Sequence, residues 1–196
     1  MFINNKFIEP DNLISLTDTV KELQKNNVIV YPTESMFGLG CDPDSYSAVM
    51  KLLHMKKRNI YKGFILISAY YRQLQPYILE RKISINHKKK MFSHWPGHIT
   101  FLLPANDHVP YWLVGRSNFI AARITKHPIV RKLCIRFGKA LISTSANITG
   151  KPPCLKIQDI YRQFGRSIAF LNGAIGRQRN PSQIINIITG EIIRRG

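Results

Sequence analysis

At 196 residues the chain is long enough for a single domain with a buried core, and its 44% hydrophobic content excludes an intrinsically disordered protein. Lys and Arg number 29 against 11 Asp and Glu, and this net charge of +18 predicts polyanionic partners. A run of about 18 apolar residues is absent, so no membrane span is expected. Isoleucine, lysine and asparagine are all plentiful, so the charge also has a compositional explanation.

The N-terminus, MFINNKFIEPDN, lacks a basic start followed by an apolar segment, so no signal peptide is expected. The three cysteines are scattered and show no CxxC spacing; they are Cys41, Cys134 and Cys154. This pattern favours a reducing compartment and argues against a disulfide framework or a cysteine-based metal site. We therefore expect a cytoplasmic protein.

The first predicted elements are a helix and a buried strand. Apolar residues recur at nearly helical spacing over residues 13–26, after the capping residues Asp11 and Asn12. Residues 28–32, VIVYP, are typical of a buried strand, and Pro32 ends it because proline cannot donate to a strand ladder. Open α/β sheets bind ligands at the carboxyl ends of such strands.

Thr33, Glu34 and Ser35 follow directly and supply hydroxyls and a carboxylate, with the glycine-containing residues 38–40 after them. This turn is therefore a candidate ligand site. An ordinary turn after a buried strand is the alternative interpretation.

A second helix is predicted from residues 42–45, DPDS, with an apolar stripe that begins at Val49. Lys56 comes seven residues after Val49 and lies on the same stripe, so its ammonium either reaches solvent or faces a pocket. Arg58 and Lys62 follow the helix end, where cations also suit the helix dipole without any binding role.

Helical and strand patterns alternate through the rest of the chain. Further helices are predicted at residues 71–79, 83–94, 127–137 and 156–164, with Lys88 to Lys90 in solvent. Further strands are predicted at residues 64–67, 99–104, 119–124, 140–143, 167–171 and 184–188. This alternation predicts one α/β domain with a mixed sheet.

Two of these strands carry further candidate binding groups. Arg123 lies inside the strand FIAARI, where a cation needs either a structural ion pair or an anionic ligand. Residues 143–147, STSAN, place three hydroxyls and an amide at a strand end, although such clusters also occur in plain turns. No Ser-His-Asp or Cys-His arrangement is evident, and the histidines lack metal-site spacing. The predicted chemistry is therefore the positioning of anionic groups, as in phosphoryl or nucleotidyl transfer.

Five motifs together resemble the YrdC-like family, which comprises the threonylcarbamoyl-AMP synthases, in its short form without an extra C-terminal domain. They are YPTESMFGLGCDP, KKR followed by KG, SHWPG, AARIT with HP, and STSAN. The resemblance covers residues 13–196 and leaves residues 1–12 as a short N-terminal extension. Its specific part is Lys-x-Arg at 56 and 58 combined with Ser-x-Asn at 145 and 147. The resemblance implies a twisted mixed sheet with flanking helices around a large basic cavity.

The resemblance further implies a nucleotidyltransferase that makes threonylcarbamoyl-adenylate and pyrophosphate from L-threonine, bicarbonate and ATP, with Mg²⁺ accompanying ATP. The product would serve threonylcarbamoylation of tRNA through partner proteins, and RNA contact would be weak and electrostatic. The implied threonine ligands are Thr33, Arg123 and Ser143. The implied ATP ligands are Lys56, Arg58, Ser145, Asn147 and Arg194, of which Lys56 and Arg58 are expected to be catalytic. No protein-bound metal is expected.

The chain departs from the family pattern at Asn59 and His98, where the family usually has proline, and both changes are expected to loosen a turn. An RNA-binding protein of ribosome or RNA maturation is the alternative function that the charge supports, although no aromatic and basic RNA-binding strand motif is evident. A carbamoyl-handling domain acting on another acceptor is a third, weaker alternative.

Overall fold

The structure is a computed structural model that describes residues 13–196. The predicted N-terminal extension, residues 1–12, lies outside the described residues. The strands are β1 (Leu13–Ile14), β2 (Ile29–Pro32), β3 (Phe37–Gly40), β4 (Ile65–Ser68), β5 (Ile99–Pro104), β6 (Phe119–Ile124), β7 (Leu141–Ser145), β8 (Ala169–Leu171), β9 (Gln183–Asn186) and β10 (Ile192–Arg194). The helices are α1 (Leu16–Gln24), α2 (Tyr46–Lys56), α3 (Ile85–His94), α4 (Tyr111–Val114), α5 (Pro128–Phe137) and α6 (Ile157–Phe164).

The described strands form one mixed sheet in the order β1-β8-β2-β3-β7-β4-β6-β5-β9-β10. Four pairs are parallel, namely β1 with β8, β2 with β8, β4 with β6, and β5 with β9. The remaining pairs are antiparallel. The predicted α/β domain with a mixed sheet and flanking helices is thereby confirmed.

Apolar residues cover both faces of the sheet. Val30 of β2 packs in a core cluster with Leu52 of α2, whereas Tyr31 packs in a second cluster with Leu23 of α1 and Leu133 of α5. Successive side chains of a strand point to opposite faces, so β2 is covered on both sides. This double coverage explains why its sequence is continuously apolar instead of alternating.

The first helix is shorter than the predicted range of residues 13–26. It starts at Leu16, and the Ser15 hydroxyl caps it by accepting from the Asp18 amide at 3.1 Å. Leu13 and Ile14 instead form β1, which pairs in parallel with β8. The predicted capping residues Asp11 and Asn12 lie outside the described residues. The observed cap is Ser15, because Leu13 and Ile14 pair at the sheet edge instead of starting the helix.

Residues 37–40, predicted as part of a ligand turn, form β3 and pair with both β2 and β7. Gly38 and Gly40 led to the prediction of a turn, but in the structure they lie in a strand, where a side chain would contact neighbouring atoms too closely. A Cβ atom on Gly40 would lie 2.4 Å from the Ile142 carbonyl oxygen and 2.7 Å from the Tyr31 ring. Thus only the short loop between β2 and β3, residues 33–36, is a turn.

The other differences between the predicted and the observed elements are local. The predicted helix 71–79 consists of separate 3-10 turns at Tyr71–Gln73 and Gln75–Tyr77, and Pro76 removes a donor that a continuous helix would use. Neither the short helix α4 nor the C-terminal strand β10, which pairs with β9, was predicted from the sequence. None of the helices between residues 13 and 196 is long and apolar enough to cross a bilayer.

Candidate active site

A cavity of about 340 Å³ opens where the turn after β2, the end of α2, β6, β7 and the C-terminal segment meet. Sheet register explains the convergence: Ser145 pairs with Gly38, Ser143 with Ile65, and Arg123 with Ile67. Seven of the eight predicted site residues line this cavity, namely Thr33, Arg58, Arg123, Ser143, Ser145, Asn147 and Arg194. The eighth, Lys56, lies behind it.

The turn between β2 and β3 holds Thr33 in place. Its hydroxyl donates to the Met36 carbonyl at 2.6 Å and accepts from the Met36 amide at 3.5 Å, which leaves one oxygen lone pair for a donor in the cavity. The segment before β9 packs against the same turn, because the Gly176 amide donates to the Thr33 carbonyl at 2.8 Å. Glycine is required at position 176, since a Cβ atom there would lie 2.6 Å from the Glu34 carbonyl oxygen.

Arg123 is buried at 5% exposure and pairs with Glu34, with Nη1 2.8 Å from Oε2. The other carboxylate oxygen accepts from the Thr125 hydroxyl at 2.6 Å and from the Lys126 amide at 3.2 Å. Burial raises the pKa of Glu34, but the Arg123 charge and the Thr125 hydroxyl outweigh it and hold this pKa below its usual value.

Glu34 is therefore ionised and fixes Arg123 from one side. The structural ion pair that the sequence offered as one interpretation of Arg123 is present, and Arg123 also lines the cavity, so its binding of an anionic ligand stays a prediction. Glu34 was predicted only as part of the candidate ligand turn, and its pairing with Arg123 was not predicted. Its position directly after the strand end, beside Thr33, was the available signal.

Arg58 is held at the cavity wall by backbone and ring contacts. Its Nη2 donates to the Gly63 carbonyl at 2.9 Å, and the guanidinium lies 5.1 Å from the centroid of Phe64. Burial lowers the pKa of Arg58, which nevertheless stays cationic at neutral pH because arginine titrates so high. The neighbouring Asn59 side chain accepts from the Tyr61 amide at 2.9 Å and caps the 3-10 turn Ile60–Lys62, and the loosening expected at this position stays a prediction.

Lys56 is buried at 2% exposure and supports the turn at the end of β7 from behind. Its ammonium donates to the backbone carbonyls of Ser145 and Asn147, the latter at 2.7 Å. Burial and the positive charge of Arg58 lower the pKa of Lys56 to about 8, so the ammonium is mostly protonated at neutral pH. Lys56 thus organises the two residues that face the cavity, and its direct contact with phosphate remains a prediction.

Replacement of Lys56 with Met should lower both the stability of the fold and the activity of the site. Two carbonyls would lose their donor, and each unsatisfied buried group costs about 1–3 kcal/mol. We expect a lower urea midpoint, measured by circular dichroism, and lower turnover. Lys51→Met is the matched control, since Lys51 lies on the same helix but is exposed. If Lys56→Met unfolded like this control, the ammonium would not support the turn.

Arg194 joins the C-terminal strand to the cavity wall. Its Nη2 donates to the Ser182 carbonyl at 2.6 Å, and the Ser182 hydroxyl lies 2.8 Å from that of Thr100 in β5. Burial and the nearby Arg123 charge lower the pKa of Arg194. The arginine that the resemblance assigned to ATP is therefore anchored at the cavity, although the strand that carries it was not predicted.

The cavity is lined by positively charged side chains. Among the described residues that line it are three arginines, Arg58, Arg123 and Arg194, and no carboxylate. Hydroxyls and an amide from Ser143, Ser145 and Asn147 lie between these cations. Within residues 13–196, no cluster of three or more His, Cys, Asp or Glu side chains could hold a metal ion. The arrangement suits a ligand that carries several negative charges.

A family model named Sua5_yciO_yrdC, with the description "Telomere recombination", matches residues 21–196. The chain is 52% identical over 185 residues to the threonylcarbamoyl-AMP synthase of Buchnera aphidicola subsp. Baizongia pistaciae, covering 94% of this chain and all of that protein. It is 47% identical over 182 residues to the protein of the same name from Klebsiella pneumoniae, covering 93% and 96% of the two chains.

Among solved structures, a variant of P. abyssi Sua5 superposes with a TM-score of 0.81 at 25% identity. The match covers 88% of this chain and 52% of that one, so this chain spans about half of its length.

Proposed function

The chain belongs to the Sua5–YciO–YrdC family, and from this membership we propose that it is a threonylcarbamoyl-AMP synthase. The reaction is a nucleotidyl transfer that makes threonylcarbamoyl-AMP and pyrophosphate from L-threonine, bicarbonate and ATP. The observation that carries this proposal is the cavity itself, in which three anchored arginines converge with the hydroxyls of β7. Relatives that bear this name match nearly the whole chain, which supports the same activity.

Threonine is assigned to the end of the cavity formed by Thr33, Arg123 and Ser143. Arg123 Nη1 contacts Glu34, and neither described contact of its guanidinium uses Nη2, which is left for the threonine carboxylate. The hydroxyls of Thr33 and Ser143 line the cavity nearby and would orient the rest of the amino acid.

ATP is assigned to the end formed by Arg58, Ser145, Asn147 and Arg194, with Lys56 behind the turn. Two arginines at this end offer charge to a phosphate chain, and the Ser145 hydroxyl and the Asn147 amide supply orientation without charge. Mg²⁺ would enter with the ATP substrate and would be held through phosphate oxygens, because none of the described residues that line the cavity carries a carboxylate.

The chemistry needs no covalent enzyme intermediate. The threonine amine attacks carbon dioxide with loss of one proton, or bicarbonate with loss of one water, and forms a carbamate. A carbamate oxygen then bonds to the α-phosphorus, and pyrophosphate leaves as the bond between the α- and β-phosphates breaks. Burial raises the pKa of the Cys154 thiol to about 11 and that of Cys134 to about 12, so neither is a ready nucleophile. Catalysis then consists of positioning the reactants and stabilising charge at the phosphorus with Arg58.

The product would serve threonylcarbamoylation of tRNA, with partner proteins performing the transfer. The three cysteines are free and buried, as expected for a protein of a reducing compartment, and this supports a cytoplasmic location.

Pyrophosphate release from ATP should require threonine and bicarbonate together. Serine should be a poorer substrate, because a pocket that fits the additional methyl group gains only about 1–3 kcal/mol from it, or roughly 10–200-fold in specificity. A coupled pyrophosphate assay with single omissions measures this. Release at an equal rate without threonine would contradict the proposed function.

RNA binding is the alternative that one observation favours: Lys89 and Lys90 are exposed on α3 of a chain with net charge +18. Lys88 is less available to RNA, because its ammonium forms an ion pair with Glu80 at 2.8 Å. The double change Lys89→Gln with Lys90→Gln should therefore weaken RNA binding, leave the ion pair intact and leave adenylate synthesis unchanged.

The salt dependence of RNA binding separates the two functions. For electrostatic contact, RNA affinity should fall by roughly 0.7–0.9 log units per log unit of salt for each neutralised phosphate. Turnover inside the cavity should resist moderate salt, because buried charges are screened less than exposed ones. Tight, structure-selective RNA binding at high salt without threonine-dependent turnover would favour the RNA-binding function.

A further inference from the structure

His98 occupies a fixed position between the turn before β5 and the cavity. The amide of the preceding Gly97 donates to the Ile124 carbonyl at 2.9 Å, at the end of the strand that carries Arg123. On the same turn, the Trp95 ring nitrogen donates to the Ile99 carbonyl at 2.8 Å. These bonds hold the backbone on both sides of His98, and its side chain lines the cavity.

The imidazole of His98 bridges two parts of the cavity wall. Its Nδ1 lies 3.1 Å from Arg123 Nη1, and its Nε2 lies 2.9 Å from the Asn180 carbonyl oxygen. Asn180 directly precedes Pro181 and Ser182, which line the cavity, and Ser182 accepts from Arg194. The imidazole therefore links Arg123 to the segment that anchors Arg194.

These two partners determine the protonation state of His98. A guanidinium can only donate and a backbone carbonyl can only accept, so Nδ1 accepts from Arg123 and Nε2–H donates to Asn180. This pattern needs the neutral imidazole with its proton on Nε2. A protonated ring would place a second N–H against the Arg123 N–H, and the bond would be replaced by repulsion.

The charged groups around His98 favour the neutral form. Arg123 faces it from β6, Arg194 from β10 and Glu34 from the turn after β2. Burial and the two arginines lower the pKa of His98, while Glu34 and the Asn180 carbonyl act in the opposite direction, and the result lies below the usual histidine value. The ring is therefore neutral at pH 7.

We propose that His98 is a positioning residue for threonine, a neutral acceptor that fixes the Arg123 guanidinium opposite Glu34. Glu34 and His98 both contact Nη1 and so determine the direction in which Nη2 is presented. At low pH, protonation of His98 breaks its contact with Arg123 and so weakens threonine binding. The proposal rests on the proposed function, in which Arg123 binds the threonine carboxylate.

Two variants and one control test this role in the full chain. His98→Ala removes both bonds, whereas His98→Gln offers an acceptor and a donor but does not titrate. His108→Gln is the control, since His108 is an exposed histidine outside this cavity. Threonine and ATP KM values are measured in steps from about pH 7.5 down through the usual histidine pKa of about 6.5 to the acid limit at which the chain stays folded, because the pKa of His98 lies below that usual value.

His98→Ala should raise the threonine KM about three- to tenfold at the higher pH, the effect of losing one hydrogen bond of ordinary strength, with little change in ATP KM. The wild-type threonine KM should rise in acid, and in His98→Gln this rise should be absent. An unchanged threonine KM in His98→Ala, or an equal acid rise in His98→Gln, would overturn the proposal. Equal rises in both KM values with a lower melting temperature would also overturn it, since they indicate a structural role.

Nitrogen NMR of the labelled wild-type chain tests the bridge without any substrate. The expected result is a neutral His98 ring at pH 7 with its proton on Nε2. A charged ring, or a proton on Nδ1, would overturn the inference even in an active synthase. A neutral ring with the expected proton in a chain that lacks threonine-dependent turnover would instead place the failure in the proposed function.

Discussion

Arg58→Lys should lose about 10²–10³-fold in turnover, the usual cost of removing one donor that stabilises developing charge. Lysine keeps a positive charge but replaces a planar fork with a point charge, so it cannot hold two phosphate oxygens at once. The Gly63 carbonyl and the Phe64 ring, which hold the wild-type guanidinium, can both still interact with an ammonium. We therefore expect a melting temperature close to that of the wild type.

Arg116→Lys is the matched control for this experiment. Arg116 also lies over an aromatic ring, 4.8 Å from the centroid of Tyr61, but it is exposed and does not line the cavity. Its replacement should leave turnover unchanged in the same pyrophosphate assay. An Arg58→Lys protein that melts early and keeps its activity would mean that Arg58 is structural and that its place near the end of α2 reflects only the helix dipole.

Glu34→Gln should destabilise the fold by about 3–5 kcal/mol, because removal of one partner of a buried ion pair leaves an uncompensated charge. Arg123, at 5% exposure, would keep its charge without the carboxylate that faces it at 2.8 Å. Urea unfolding at neutral pH measures this loss. The double variant Glu34→Gln with Arg123→Gln removes both charges and should be more stable than Glu34→Gln alone.

The Glu34 contribution should also depend on pH. The folded pKa of Glu34 lies below its usual value, so its stabilisation is fully present above the unfolded pKa of about 4.5. It is lost as the pH falls through the folded pKa. The stability difference between wild type and Glu34→Gln should therefore shrink in acid. Equal stability of the two proteins across this range would show that the ion pair contributes nothing.

The site could largely be predicted from sequence because its chemical groups stand next to elements with clear patterns. Ser143 lies in the carboxyl-terminal half of β7 and Asn147 follows that strand, while Thr33 follows the strand that ends at Pro32, so both clusters were placed at strand ends. The strand Phe119–Ile124 has the predicted bounds, and α5 and α6 also match their patterns closely. Chain-local signals were sufficient for these assignments.

What could not be predicted depends on contacts between distant parts of the chain. β3 exists because it pairs with both β2 and β7, and its glycines carry no strand signal of their own. The acceptors of Lys56 are backbone carbonyls about ninety positions later in the chain, which no side-chain pattern reports. The bridge from His98 to Arg123 and Asn180 likewise depends on the tertiary fold alone.

In the proposed function, one cavity joins threonine, a one-carbon unit and ATP into an adenylate. Mass spectrometry of the product formed with ¹³C-labelled bicarbonate, threonine and ATP tests this reaction. We expect a single product that contains threonine and AMP and carries one labelled carbon, formed in equal amount to pyrophosphate. Unlabelled AMP or ADP as the only nucleotide product, at the same rate with or without threonine, would contradict it.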